Sequence, residues 1–303
     1  MPFGMDHGLD LSQPDTLTET EWSDFKRLHG TAAGYPDGHP LYRFWVEAGR
    51  PDVVKTQRTI LQTAEPAIGL GDPRARGKKG GLPSPLAKLF VYILTNFYTG
   101  VEYQVRLTAQ RGYSRAEVLD VFALAALHSA ASGVTDLHAR RGLMEQFANW
   151  PNAESTARLP DGWDRELDTL KAGLDFSEPE LSAAEHDALT GWYLEYLGEV
   201  PPWVAFLAEH NPRLLKQLRA RWENAVKALP RQFVPFALLI WHLIQQDDAG
   251  IRENLLLARG FGMSKDQVVA TAGVAALTYG GPTCLSVLDR VGGEILRNWE
   301  GRQ

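Results

Sequence analysis

The densest group of side chains capable of chemistry lies between residues 242 and 254, where His242, Asp247, Asp248, Arg252, Glu253 and Asn254 follow one another within four turns' length of chain. An apolar helix from about 231 would carry His242 near its end, with the acid pair in the following turn and Arg252 in the first turn of the next helix. Such a set can supply a base, an acid and a clamp for a carboxylate, with His242, Asp247 and Asp248 as proton-transfer groups and Arg252 and Asn254 as binding groups. An ordinary structural account stands beside it: either aspartate can cap the following helix, with Arg252 neutralising the pair.

Other candidates are sparser. Glu102, Tyr103 and Gln104 occupy a comparable helix start, and Glu102 and Gln104 are candidate substrate contacts, although Thr99-x-x-Glu102 also reads as a capping box. His128 and Tyr279 lie near the ends of two later helices, where either could line a pocket, His128 in binding and Tyr279 in catalysis. Asp136-x-His138 offers two metal donors without a third at ligand spacing, so no metal is expected. Arg74, Arg76, Lys78 and Lys79 form a basic, glycine-rich loop suited to attract an anion. Cys284 stands alone just after Pro282; a helix start could lower its pKa, and packing as a small residue explains it equally. A single cysteine excludes a disulfide or dithiol relay within one chain.

Composition narrows the function classes. The formal charge of -6 and dispersed basic residues leave no electrostatic footprint for nucleic acid. The amino terminus lacks the basic and apolar regions of a leader, and apolar runs are too short for a bilayer, so a cytoplasmic chain acting on small molecules is expected.

Apolar spacing of three and four residues recurs nearly throughout, and alternating β-branched runs are absent, which predicts an all-α fold. Helices are expected at about 18–30, 40–49, 51–65, 84–97, 100–111, 115–130, 134–149, 181–197, 201–210, 212–228, 231–246, 249–260, 265–279 and 284–299. A shift of 150 residues pairs Pro85 with Pro235, Gly100 with Gly250, Gly112 with Gly262, Ser114 with Ser264 and Val118 with Val268. A second block, at a shift of 161, pairs Tyr42 with Trp203, Trp45 with Phe206 and Lys55 with Lys216. Two ordered blocks predict a duplication: a first repeat with an amino-terminal extension over 1–148, a linker over 149–180 and a second repeat over 181–303, packed together as a pseudo-dimer. The recurring aromatics Tyr42, Trp45, Trp203 and Phe206 read as core.

The second copy carries Ala258-x-Gly260-Phe261-Gly262-Met263-Ser264, then a helix and Tyr279-Gly280-Gly281-Pro282. That order resembles the carboxymuconolactone decarboxylase and alkylhydroperoxidase D superfamily, an all-helical, often homo-oligomeric group whose peroxidase members use a C-x-x-C-x-x-x-H stretch. The resemblance implies that Phe97 and Gly100, and Asp247 and Gly250, stand at the cysteine positions. It likewise implies Gln104 and Asn254 at the final His, Thr99 and Ala249 at the intermediate His, and Pro85 and Pro235 at the Glu. Without a thiolate there, peroxide reduction is not expected. What the resemblance leaves is a cofactor-independent lyase, decarboxylase or isomerase using acid/base groups on a small carboxylated or carbonyl metabolite, expected to be anionic, in a dimer or trimer of the fused chain. The rival expectation is a non-catalytic binding or scaffold protein that keeps the helical frame.

Overall fold

The computed structural model of the chain describes residues 9–29, 35, 37–38, 40–56, 82–128, 143–165 and 168–300. The expected basic loop and Asp136-x-His138 lie outside them. The described residues are all-helical, without a strand. In order they form α1 (Glu19–His29), α2 (Pro40–Glu47), α3 (Ser84–Leu94), α4 (Tyr98–Gln110), α5 (Arg115–His128), α6 (Leu143–Ala148), α7 (Ala183–Tyr196), α8 (Pro202–His210), α9 (Pro212–Ala225), α10 (Phe233–Gln245), α11 (Asp248–Gly260), α12 (Lys265–Ala275) and α13 (Thr283–Arg297). Residues 51–56 are also helical, Asp168–Leu170 form a 3-10 turn, and a π turn, Ala276–Gly280, prolongs α12. No described helix is long and apolar enough to cross a membrane.

Two helices are apolar on every side and lie at the centre. Helix α3 buries Leu86, Leu89, Phe90, Val91 and Ile93; α10 buries Phe233, Val234 and the whole stretch from Phe236 to Ile240. A helix without a polar face must be covered all round. Helices α4 and α5 pack on α3, α11 and α12 pack on α10, and α3 and α10 pack on each other. One continuous apolar cluster therefore runs from Leu82 to Trp299, and a small separate one gathers Leu9, Phe25, Tyr42 and Val54.

Backbone conformation repeats at positions 150 apart. Asn96 (φ 56°) and Gln246 (φ 57°) are both left-handed, and Phe97 and Asp247 are the N-caps of the helices that follow. A non-glycine left-handed residue costs about 1–2 kcal/mol, so the tight reversal is held by its surroundings. Gly112 (φ 84°) and Gly262 (φ 77°) end α4 and α11 as their sequence context predicts. Capping boxes begin the next helices, with the Ser114 and Ser264 hydroxyls accepting from the amides of Glu117 and Gln267. The Thr99 box does not form at the helix start: α4 begins at Tyr98 with Phe97 as cap, so Thr99 lies inside the helix.

A second recurrence surrounds the aligned pair Lys55 and Lys216, with partners that lie outside the aligned blocks. Lys55 Nζ meets Glu21 Oε1 at 2.8 Å, that same oxygen accepts the Asp10 amide, and Glu21 Oε2 accepts the Thr18 amide in a capping box. Lys216 Nζ meets Glu185 Oε1 at 2.6 Å, that oxygen accepts the Asp175 amide, and Glu185 Oε2 accepts the Ser182 amide. Asp10 with Ser12 and Asp175 with Ser177 make the same local turn. Residues 175–180, expected within the linker, thus join the start of the second repeat in an arrangement matching 10–18. The earlier stretch, 149–165, crosses between the two glycine turns: Asn152 and Trp150 bond to Tyr113 O, whereas Gln232 holds Gly162 O and Asp164.

Candidate functional site

A cavity of about 350 Å³ opens where the end of α5 meets helices α7 to α11. That is toward the small end of ligand cavities, which span about 300–1,000 Å³. Much of its wall is apolar: Leu127 from α5, Trp192 from α7, Trp203 from α8, Leu218 and Trp222 from α9, Leu238 from α10 and Leu257 from α11.

His242 is the polar exception on the apolar helix α10, and the following reversal brings Asp247 back beside it. Its Nδ1 lies 2.9 Å from Asp247 Oδ2, and Asp247 Oδ1 accepts the Gly250 amide at 3.3 Å. The aspartate therefore caps α11 with one oxygen, as the structural account expects, and meets the imidazole with the other. With Nδ1–H donated to Asp247, Nε2 is the nitrogen left for a ligand. Burial pushes the His242 pKa below its ordinary value, against the opposing pull of Asp247, and favours the neutral ring. Gly250 makes this geometry sterically feasible: a Cβ there would stand 2.2 Å from His242 Nδ1.

His128 approaches from α5, its ring edge-on to His242 at 6.4 Å between centroids. The helices around it and the neighbouring His242 push its pKa down to about 4, although His128 itself keeps an exposed side. Glu253, one turn along α11 from Gly250, accepts from Trp203 Nε1 at 3.0 Å. Its carboxyl is pushed up by burial and further by Asp247, while Trp203 and Arg219 act the other way. Asn254 is buried and lines the cavity, with Nδ2 donating to Gly250 O at 2.9 Å.

Arg219 forms the buried end of the polar lining. Its guanidinium lies 3.9 Å from the Trp192 ring centroid and 4.5 Å from that of Trp222, with Nε donating to Glu223 Oε1 at 2.7 Å and Nη2 to Leu170 O at 2.6 Å. Comparisons with protein-family models, curated proteins and solved structures returned no match. What this site does must be argued from its own atoms.

The structure brings together His242, Asp247, Asn254 and His128 among the residues expected from sequence. It does not bring Asp248 or Arg252 to them. Asp248 Oδ1 takes Arg290 Nη2 at 2.6 Å, and Arg252 is held in a two-bond pair by Glu199 at 2.8 and 2.6 Å, both on the surface. Successive helix residues point about 100° apart, so the face carrying Gly250, Glu253, Asn254 and Leu257 lines the cavity while Asp248 and Arg252 point away from it. Glu102 and Gln104 sit on α4, away from this cavity; Gln104 is buried with Oε1 lacking a hydrogen-bond partner. Tyr279 belongs to the π turn, and its side chain lies outside the described residues.

Trp203 and Phe206 are exposed rather than core, and Trp203 borders the cavity. The Cys284 thiol is buried against Leu243 O and its pKa is raised, so packing explains it. Arg219 carried no expectation at all, although Arg219, Trp222 and Glu223 at helical spacing share one face of α9 and were the available signal.

Proposed function

We propose that the chain is an acid/base enzyme of the isomerase or lyase type, acting on a small carbonyl-bearing metabolite in the cavity between α5 and α7–α11. The observation that carries this reading is the 2.9 Å bond from His242 Nδ1 to Asp247 Oδ2 at the cavity wall. A carboxylate that fixes one imidazole nitrogen leaves the other as a directed base, and a depressed pKa keeps that base unprotonated at neutral pH. Glu253, on the same wall with its carboxyl shifted toward the acid form, supplies the complementary proton. The recurrent turns and caps 150 residues apart support a further part of the reading, that the chain is a fused duplication whose copies pack through α3 and α10. Only one copy carries the polar pair: Tyr92 and Phe97 meet edge to face beside Gly100 where His242, bonded to Asp247, lies against Gly250.

Proton exchange tests the catalytic part directly. In deuterated buffer the protein should accelerate loss of the α-proton signals of a panel of small ketones and lactones, followed by NMR. His242→Gln should lower that rate by about 100-fold or more, with the melting temperature nearly unchanged. An unaltered rate in this variant would remove the base from the mechanism. The apolar lining and the capping role of Asp247 favour a second reading, a ligand-binding protein; saturable binding without exchange would select it.

A further inference from the structure

The charges inside the cavity restrict what can enter. Arg219 is its buried cation, and that cation is already engaged: the Trp192 and Trp222 rings pack against it, Glu223 and Leu170 O occupy two of its three nitrogens, and Glu223 balances its charge from an equally buried position. It can still offer a hydrogen bond, but no net charge. Arg221 also borders the cavity, on the exposed rim where water screens it. Arg252, expected to clamp an anion, is committed to Glu199 outside.

On the negative side stands Asp247, beside an imidazole that burial holds toward its neutral form. The interior therefore carries no excess positive charge, and the half-exposed Asp247 carboxylate stands at its edge with no cation beside it other than the imidazole. An anionic ligand would lose its hydration and meet Asp247 in place of a counter-ion, which is the costly arrangement for a buried charge. A neutral ligand meets Leu127, Leu218, Leu238 and Leu257 with its body and has His242 and Glu253 for its polar end.

Resting on the acid/base reading above, we propose that the cavity takes an uncharged carbonyl compound with an apolar body, and that the reaction is a proton shift through its enol rather than loss of a carboxylate. His242 Nε2 takes the proton from the carbon beside the carbonyl. That C–H electron pair becomes the C=C bond, the C=O π pair moves to oxygen, and the oxygen takes the proton of the Glu253 carboxyl. The substrate this shift requires carries a C=C bond at the β,γ position, so the enol is a dienol: in the second half the Glu253 carboxylate recovers the enol proton, the O–H pair re-forms C=O, the enol C=C pair moves to the α,β position, and the displaced π pair takes the imidazolium proton at the γ-carbon. Nothing is oxidised or reduced, and both side chains return to their starting forms.

The test separates charge from shape. Acetophenone, benzamide and benzoate are titrated into the full chain at neutral pH, read by quenching of the tryptophans that line the cavity and by calorimetry. The two neutral probes should bind at least about tenfold more tightly than benzoate. Asp247→Asn, which removes the lone charge, should narrow that gap by about threefold or more, and Arg252→Ala should leave all three affinities unchanged. Benzoate binding as tightly as benzamide, or a loss of benzoate binding on Arg252→Ala, would overturn the neutral-ligand assignment while leaving His242 as a base. Failure of all three probes to bind would overturn it too. Loss of the exchange difference between the wild type and His242→Gln strikes the acid/base reading instead, so the two failures are distinguishable.

Discussion

Gly250 shows how a missing side chain can build a site. A methyl group there would overlap the His242 ring, so Gly250→Ala must turn the imidazole and break its bond to Asp247. Activity should then fall by about 100-fold, as for loss of the base itself. Alanine favours a helix over glycine by about 1 kcal/mol, so in a His242→Ala background the same Gly250→Ala change should stabilise the protein, a reversal of sign readable by thermal melts. The histidines also set an acid limit. Because folding lowers the pKa of His128 to about 4 and depresses that of His242, the unfolded chain binds protons first as the pH drops. Their contribution is intact above about 6.5 and is lost as the pH falls toward 4. His128→Asn should flatten the melting-temperature profile across that window; an identical slope would show that His128 does not titrate as its surroundings imply. At this scale the sequence disclosed His242 with Asp247, since both stand next to a readable turn. It did not disclose Arg219, because Trp222 and Glu223 on its own helix were only a partial signal and the groups that complete its burial, Trp192 and Leu170 O, come from distant elements. Nor could charge pattern reveal that Arg252 has a partner, Glu199, fifty-three positions earlier in the chain.

Helices were legible for a different reason: their limits are written in short-range chemistry. The Ser114, Ser182 and Ser264 caps, the left-handed Gly112 and Gly262, and the proline starts of α8 and α9 all act within a few residues. Less legible were devices assembled from several elements, such as the two lysine clusters. Lys216 is buried, and its ammonium is held by Glu185 and by Glu180 O, joining α9 to the cap of α7. Removing one partner of such a pair leaves the other charge stranded, so Lys216→Met should cost about 3 kcal/mol or more, measured by denaturant unfolding. Lys55→Met should behave alike, through Glu21. The acids carry a pH signature of their own. The Lys216 hydrogen bond and the Ser182 amide hold Glu185 at about 2; for Glu21, burial pulls upward, but Lys55 and the amides of Thr18 and Asp10 bring it to about 2 as well. Folding thus depresses both, and the stability they add is complete above about 4.5 and disappears as the pH falls toward 2. Acid unfolding should therefore show a lower limb, below the histidine window, that Lys216→Met selectively weakens.

For the molecule as a whole, the site depends on two stretches of chain far apart in sequence being held together. His128 reaches the cavity because α5 lies against α9, which brings its ring to His242 of α10. Asp120, one face of α5 further back, fixes the approach: its Oδ2 accepts the amides of Lys227, Ala228 and Leu229 at 2.8, 2.6 and 3.0 Å, just before α10 begins. Burial pushes its carboxyl up, while the three amides favour the ionised form. Substituting Asp120 with alanine leaves these donors without an acceptor, each costing about 1 kcal/mol or more where water cannot replace it. Asp120→Ala should lower the melting temperature by about 5 °C or more, whereas Asp120→Asn, which keeps an acceptor oxygen, should lose less. The more telling consequence is at the cavity. If this clamp sets the position of α5, ligand affinity should fall in Asp120→Ala even at temperatures where the chain is fully folded, because Leu127 and His128 would no longer meet the wall formed by Leu238 and His242. Undiminished affinity in a folded Asp120→Ala protein would mean that α3 packed on α10 is enough to align the two stretches, and that the clamp serves stability alone.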